Sequence, residues 1–273
     1  KAKTKAAKVS LRKSYGLLNK ETDIDNYFPT DHSCLCDPKG PLLTFSKSPT
    51  RSTIHRRAYP DHITVQAFDE NGNFIGVHHI VGLYTSQVYR ASVKNIPVIR
   101  QKVTSIYQQA NLSLRSYSGK VLRQVLETFP RDELFQSSID ELEQTLLEIT
   151  QINERSIVRL FMRKSADNRF VNVLAYIPRD QFSTNLRENI IETLGSAVGA
   201  ESSEFYSSYS ESILSRTYMI FRLDESQEVT WSESELEEKI QYLARSWTDS
   251  LTRHLSIDYD EDEGKRLAES YKN

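Results

Sequence analysis

Hydrophobic and polar residues follow two different periods along this chain, and the period changes near its middle. Period-two alternation in His62–Phe68 and in Phe74–Tyr84 predicts two strands, and Asn71-Gly72 between them is a strong turn signal. Val9–Leu18 and Leu42–Ser46 are further strand candidates. The first half therefore predicts an antiparallel sheet, which we expect a helix around residues 96–110 to close.

The stretch Glu127–Gln136 separates the two halves. A proline disfavours the α region for the residue before it, so Pro130 predicts that the preceding helix ends near Phe129. A second, short helical turn should begin at Arg131 and bury Leu134. From these residues alone, the stretch is a capped junction between two helices.

The second half alternates helix and strand patterns. In order, these are a helix from Ser138, strands at 157–163 and 170–177, a helix from Ser183 to Gly199, and strands at 202–208 and 214–223. This α-ββ-α-ββ order is a circular permutation of the ferredoxin-like plan, whose four-stranded sheet carries two helices on one face. ACT-type regulatory domains share that architecture. The long helix from Trp231 is expected to be an extension that packs elsewhere or forms a subunit contact.

These patterns predict an α+β protein of several modules. We expect a PAS- or GAF-like sheet module with its closing helix over residues 1–111 and a helical linker over 112–137. An ACT-like, permuted ferredoxin-like module should occupy 138–224, with a helical extension over 225–273.

Composition excludes several classes of partner. The 273 residues are 38% hydrophobic and 26% charged, with a formal net charge of −2, so no overall field attracts nucleic acid or a membrane surface. No apolar run approaches the roughly 20 residues of a membrane span. Cys34 and Cys36 are expected to be free thiols in a reducing cytoplasm, because two thiols alone make no zinc site. We expect a cytoplasmic location.

Motifs for chemistry are missing from the sequence. The nine glycines form no dinucleotide or phosphate loop, and no zinc-protease, nucleophile-elbow or paired CxxC motif occurs, so we assign no catalytic, cofactor-binding or metal residue. Candidate contacts to an anionic effector, or across an interface, are Arg51, Arg56, Arg57, Arg131 and Arg179. Each could equally be a structural ion-pair partner or a charge on a strand edge. An unrecognised enzyme site would need a cleft around His55, His62 or His78.

Seven strings of the sequence resemble strings of a known protein family, and they occur in the same order as in that family. They are SPTRSTIHR (Ser48–Arg56), GLYTS (Gly82–Ser86), IPVIRQKV (Ile96–Val103), GKVLRQVLETFPRDELFQ (Gly119–Gln136), VRLFMR (Val158–Arg163), YIPRD (Tyr176–Asp180) and YSESIL (Tyr209–Leu214). They are similar to the N-terminal region of the large bacterial NAD-specific glutamate dehydrogenases. The resemblance covers roughly residues 42–271.

The resemblance implies a much longer cytoplasmic parent that converts L-glutamate, NAD and water to 2-oxoglutarate, ammonia and NADH. Its catalytic residues and NAD site would lie far beyond this piece, which would be a non-catalytic regulatory and oligomerisation segment. Its partners would be itself, in a homo-oligomer, the catalytic part of the same chain, and an amino-acid effector. The alternative is a stand-alone amino-acid sensor that controls a partner protein; the missing initiating Met favours the first hypothesis.

Overall fold

The computed structural model describes residues 15–16, 40–152, 157–208, 213–224 and 230–244, and six single positions beyond residue 254. Most of the strand predicted over 9–18, both Cys34 and Cys36, and most of the predicted helical extension beyond residue 244 lie outside the described residues. The chain divides into two compact units, Lys1–Thr85 and Ser86–Asn273. No helix in the described ranges is long and apolar enough to cross a bilayer.

The first unit contains a three-stranded antiparallel sheet in the order β1-β2-β3. Its strands are β1 (Leu43–Lys47), β2 (Asp61–Phe68) and β3 (Phe74–Gly82). The Asp69 carboxylate accepts hydrogen bonds from the backbone N–H groups of Asn71 and Asn73, and Gly72 has φ of 81°. Glycine enters this left-handed region without a steric penalty, so the structure confirms the predicted hairpin.

The second unit begins with five helices. They are α1 (Ser86–Arg90), α2 (Pro97–Gln109), α3 (Tyr117–Thr128), α4 (Arg131–Gln136) and α5 (Ile139–Ile152). A hydroxyl cap starts α3, because Ser116 accepts a hydrogen bond from the N–H of Gly119, and α3 ends before Phe129 as predicted. The helix expected to close the first sheet is α2, but α2 packs against α4 and α5 within the second unit.

The remaining elements are four strands and two helices. The strands β4 (Arg159–Lys164), β5 (Phe170–Pro178), β6 (Ala200–Ser208) and β7 (Leu214–Leu223) form an antiparallel sheet in the order β4-β5-β7-β6. The helices are α6 (Thr184–Val198) and α7 (Glu233–Ala244). Ser183 caps α6, and Gly199 ends it with φ of 65°. The predicted chain order of helices and strands is therefore present, and it gives a mixed α+β fold.

The expected helix packing on this sheet was wrong. Leu236, Ile240 and Ala244 place α7 beside α6 in one core with the strands, so α7 does not pack elsewhere. The other face of the sheet lies against α4 and α5. All nine residues of β5 are buried, which requires cover on both faces, whereas an apolar stripe on a helix does not reveal which face it will cover.

Candidate functional site

A buried polar group with many hydrogen bonds in the second unit is the Glu133 carboxylate, on the short helix α4. Glu133 is only 6% exposed, although it is charged. Five donor groups reach its two oxygens: Arg163 Nε at 2.7 Å, Arg163 NH2 at 3.0 Å, Asn172 Nδ2 at 2.6 Å, Tyr218 Oη at 2.9 Å and Ser137 Oγ at 3.2 Å. A buried carboxylate is stable only when its oxygens are satisfied in this way.

Three neighbouring strands contribute all of these donors except Ser137, which directly follows α4. Arg163 on β4 lies opposite Asn172 on β5, and Leu174 on β5 lies opposite Tyr218 on β7. Side chains alternate between the faces of a strand, so these donors share the face away from α6 and α7. Their convergence on Glu133 fixes α4 over the centre of the sheet.

The electrostatics of this cluster favour the ionised carboxylate. Burial alone would raise the pKa of Glu133, but the charge of Arg163 and the hydrogen bonds from Arg163, Tyr218 and Ser137 lower it below its ordinary value. Burial, together with the charges of Glu133 and Asp132, holds the pKa of Tyr218 well above its usual range. Tyr218 therefore remains a hydrogen-bond donor at neutral pH.

Lys102 on α2 holds the C-terminal end of α4. Its ammonium group donates to the carbonyl oxygens of Leu134 at 3.0 Å, Phe135 at 2.7 Å and Ser137 at 2.6 Å. A cation at a helix C-terminus satisfies carbonyl groups that have no partner within the helix. Burial, followed by the charge of Arg163, lowers the pKa of Lys102 to about 8.

A cavity of about 210 Å³ lies beside this cluster, between α5 and the sheet. Its charged lining residues are Glu133, Glu141, Glu148, Glu233 and Arg163. With four carboxylates and one guanidinium, this lining favours a cation or a neutral donor over an anion. Within the described ranges, no group of three or more His, Cys, Asp or Glu side chains could hold a metal ion.

Carboxylates of α7 also cover the edge of β4. Glu237 accepts from the backbone N–H of Leu160 at 3.2 Å and from Arg159 NH1 at 2.8 Å, while Glu233 accepts from the N–H of Met162 at 3.4 Å. These contacts satisfy outward-facing donors of an edge strand, which would otherwise be a template for pairing with another chain.

Two family models of glutamate dehydrogenase segments match the part of the chain that forms this site. "Glutamate dehydrogenase, helical motif 1" matches residues 96–155, and "Glutamate dehydrogenase, ACT2 domain" matches residues 159–248. A protein of Halomonas elongata named NAD-specific glutamate dehydrogenase is 37% identical over 236 residues, which are 86% of this chain and 15% of that protein. The chain belongs to the large NAD-specific glutamate dehydrogenase family.

Further relatives carry the same name. The Pseudomonas aeruginosa protein is 40% identical over 211 residues, covering 77% of this chain and 13% of the relative. The Mycobacterium tuberculosis protein is 29% identical over 184 residues, covering 67% of this chain and 11% of the relative. The chain thus spans a small part of the length of the curated relatives that it matches.

The Glu133 cluster joins the two matched segments of this glutamate dehydrogenase family member. Glu133 and Lys102 belong to the helical motif, whereas Arg163, Asn172 and Tyr218 belong to the ACT2 domain. The cavity is lined from both segments as well. The site therefore lies at the junction between the helical motif segment and the ACT2 segment of the chain.

Arg131 lies in this unit as a buried structural group. Its guanidinium donates to the carbonyl oxygens of Leu126 at 3.2 Å, Glu127 at 3.1 Å and Ala91 at 3.1 Å, and the Glu127 carboxylate is 3.7 Å away. Burial, partly offset by Glu127, lowers the pKa of Arg131 from its ordinary value. These contacts close the C-terminal end of α3.

The other predicted arginines lie elsewhere. Arg51, Arg56 and Arg57 are exposed in the first unit, with the Arg51 guanidinium 5.1 Å from the centre of the Tyr59 ring. Arg179 is exposed just after β5 in the second unit. A role for any of the five arginines in effector or interface contacts stays a prediction.

The histidines in the described part of the first unit differ in burial. His55 and His78 are exposed, whereas His62 is fully buried and its Nε2 lies 2.9 Å from His79 Nδ1. The two rings stack at 5.1 Å between centres. These contacts describe a packed histidine pair inside the sheet.

Sequence reasoning missed Glu133, Asn172 and Tyr218. One local signal was present, because Asn172 is a lone amide within the apolar run Phe170–Ile177, and a buried amide needs a partner. The identity of that partner, 39 positions away on another element, has no local signal.

Proposed function

We propose that this chain is a non-catalytic regulatory and oligomerisation segment of an NAD-dependent glutamate dehydrogenase. The parent enzyme would convert L-glutamate, NAD and water to 2-oxoglutarate, ammonia and NADH, with its NAD site outside this segment. The observation that carries the proposal is the Glu133 cluster, which ties the matched helical motif to the matched ACT2 domain. The segment would act on the catalytic part of the same chain and on further copies of itself.

The buried polar contacts make this junction suitable for transmitting a structural change. A satisfied buried network is much more stable than a partly satisfied one, because every lost partner leaves a desolvated polar group. The junction therefore favours one fixed arrangement of α4 on the sheet and disfavours intermediate ones. A change in the packing of the helical segment would be passed to the sheet through Glu133.

We also propose finer assignments for the modules. The sheet of the first unit would be the PAS- or GAF-like part of the segment, and β4 to α7 would be the ACT-like module, with α7 as its second helix. The boundaries predicted at residues 111, 137 and 224 remain predictions. A cytoplasmic location and an amino-acid effector belong to the same proposal.

The test uses the full-length parent protein with Glu133→Gln. NADH formation would be measured against L-glutamate concentration, and the oligomeric mass by light scattering. We expect the unsubstituted protein to form NADH, and E133Q to change the glutamate saturation curve or the oligomeric mass. Glu188→Gln is the control, because Glu188 is 67% exposed on α6.

Two results would contradict the proposal. Absence of glutamate-dependent NADH formation in the parent would remove the assigned activity. An unchanged saturation curve and mass in E133Q, despite reduced thermal stability, would show that the junction has only a structural role.

A further inference from the structure

We propose that the cavity between α5 and the sheet binds a small aliphatic amine through its primary ammonium group. This inference rests on the proposed function for its regulatory meaning, because such a ligand would act at the junction of the helical motif and the ACT2 domain. The binding itself is argued from the lining of the cavity.

Charge is distributed unevenly around the cavity. Arg163 neutralises Glu133 with two hydrogen bonds, whereas Arg159 is held by Glu237 at 2.8 Å and lies 3.9 Å from Glu148. Glu141 and Glu233 also line the cavity; within the described ranges neither forms an ion pair, although the charges of Lys102 and Arg163 act on Glu141. An added positive charge would therefore be attracted.

Glu233 lies among other carboxylates: it lines the cavity with Glu148, and Glu237 follows it by one turn of α7. Burial, followed by the charges of Glu237 and Glu148, raises the pKa of Glu233, and these causes outweigh the N–H of Met162 and the charge of Arg159. A cation placed between these carboxylates would relieve their mutual repulsion.

The lining residue Asn172 has an acceptor atom without a hydrogen-bond partner among the described residues. Asn172 is 3% exposed and lines the cavity; its Nδ2 donates to Glu133, which fixes the orientation of the amide. Its Oδ1 is buried and accepts no hydrogen bond from any described residue. An unsatisfied buried acceptor is costly, so the cavity offers a place for a donor.

The chemistry of the walls defines the ligand class. An ammonium group has three donors and no acceptor, which suits carboxylate and amide oxygens, whereas a carboxylate ligand would be repelled. Leu142, Phe161 and Leu174 also line the cavity and can contact methylene groups. A volume of about 210 Å³ corresponds to several waters at roughly 30 Å³ each, enough for a short alkyl chain.

The experiment is calorimetric titration of the full-length parent protein with 1,4-diaminobutane. The matched ligand is butane-1,4-diol, which has the same length and no charge. We expect the diamine to bind with at least tenfold higher affinity than the diol. Glu233→Gln and, separately, Glu141→Gln should each weaken diamine binding at least tenfold, whereas Glu188→Gln should leave it unchanged.

Each other result would overturn the proposal. Equal binding of diamine and diol would show an unselective cavity, and equal weakening by E188Q would show nonspecific attraction to a charged surface. No binding of either ligand at millimolar concentration would mean that the cavity holds only water. Because the heat of binding requires no turnover, these outcomes are separate from a failure of the dehydrogenase assay.

Gln at position 141 can keep the capping contact with Ser138, so E141Q tests binding without removing the cap.

Discussion

At the scale of single residues, Glu133 is the charge on which the junction depends. Glu133→Gln would remove the ion-pair partner of Arg163, whose side chain is 15% exposed. We expect the free energy of unfolding at pH 7 to fall by about 3 kcal/mol, the lower end for a broken buried pair, because Gln still accepts hydrogen bonds. Urea unfolding of the chain, followed by near-UV circular dichroism, measures this change.

The pH dependence of that loss is a sharper form of the same prediction. The folded pKa of Glu133 is lowered, so its contribution to stability is complete above the unfolded value of about 4.5 and disappears as pH falls through the folded value. The difference between the unsubstituted chain and E133Q should therefore be constant from pH 7 to about 5 and shrink in more acid solution. A difference that stays constant down to pH 3 would contradict the assignment, and Glu188→Gln should show almost no difference throughout.

The residue scale also shows the limit of sequence reasoning. The charged run at Arg131–Glu133 was predicted to start a short helix, and it does, but all three residues are buried. A local pattern treats charged residues as a solvated face, because it does not include partners from distant elements. Glu133 is buried because Arg163, Asn172 and Tyr218 lie on three strands that fold over it.

At the scale of elements, two helical glycines differ in the space that surrounds them. A Cβ at Gly119 in α3 would collide with the carbonyl oxygen of Ser113, and Tyr107 Oη donates to the Gly119 carbonyl at 2.7 Å. A Cβ at Gly195 in α6 would lie at ordinary contact, 3.6 Å from the Phe221 ring. Only the first position requires glycine for close approach.

We therefore expect Gly119→Ala to lower the free energy of unfolding by about 2 kcal/mol, because the backbone of the α2–α3 connection must shift. Gly195→Ala should raise it by about 0.5–1 kcal/mol, since alanine loses less chain entropy in a helix. Each variant serves as the control for the other in the same urea titration. Equal effects of one sign would show that helix propensity alone decides both positions.

Element types were predicted well and element partners poorly. The end of α3 followed from Pro130, and the β2–β3 hairpin followed from Asn71-Gly72, because both signals act within a few residues. The positions of α2 and α7 depend on which apolar surface each helix covers. Which surface a helix covers depends on contacts from the whole second unit. Leu236 and Ile240 of α7, for example, lie in one core with residues of α6 and the strands.

At the scale of the whole molecule, the second unit is larger than the matched family segments suggest. The helical motif match begins at residue 96, yet groups before it satisfy buried atoms of α3 and α4. Arg131 donates to the Ala91 carbonyl, and the Glu127 carboxylate accepts from Ser92 Oγ and from the N–H of Val93. Val93 is itself 1% exposed. The compact unit that contains these contacts begins at Ser86, ten residues before the helical motif match.

Two fragments with different first residues test whether residues 86–95 belong to this compact unit. A fragment of residues 86–273 should fold alone, with a free energy of unfolding within about 0.5 kcal/mol of that of the same unit in the full chain. A matched fragment of residues 96–273 loses the Ala91 carbonyl that Arg131 contacts and the Ser92 and Val93 donors to Glu127, and it should be less stable by about 2 kcal/mol or more. Urea unfolding with near-UV circular dichroism compares the two fragments. If they are equally stable, residues 86–95 add nothing to the unit; if both lack near-UV signal, the second unit needs the rest of the chain to form its core.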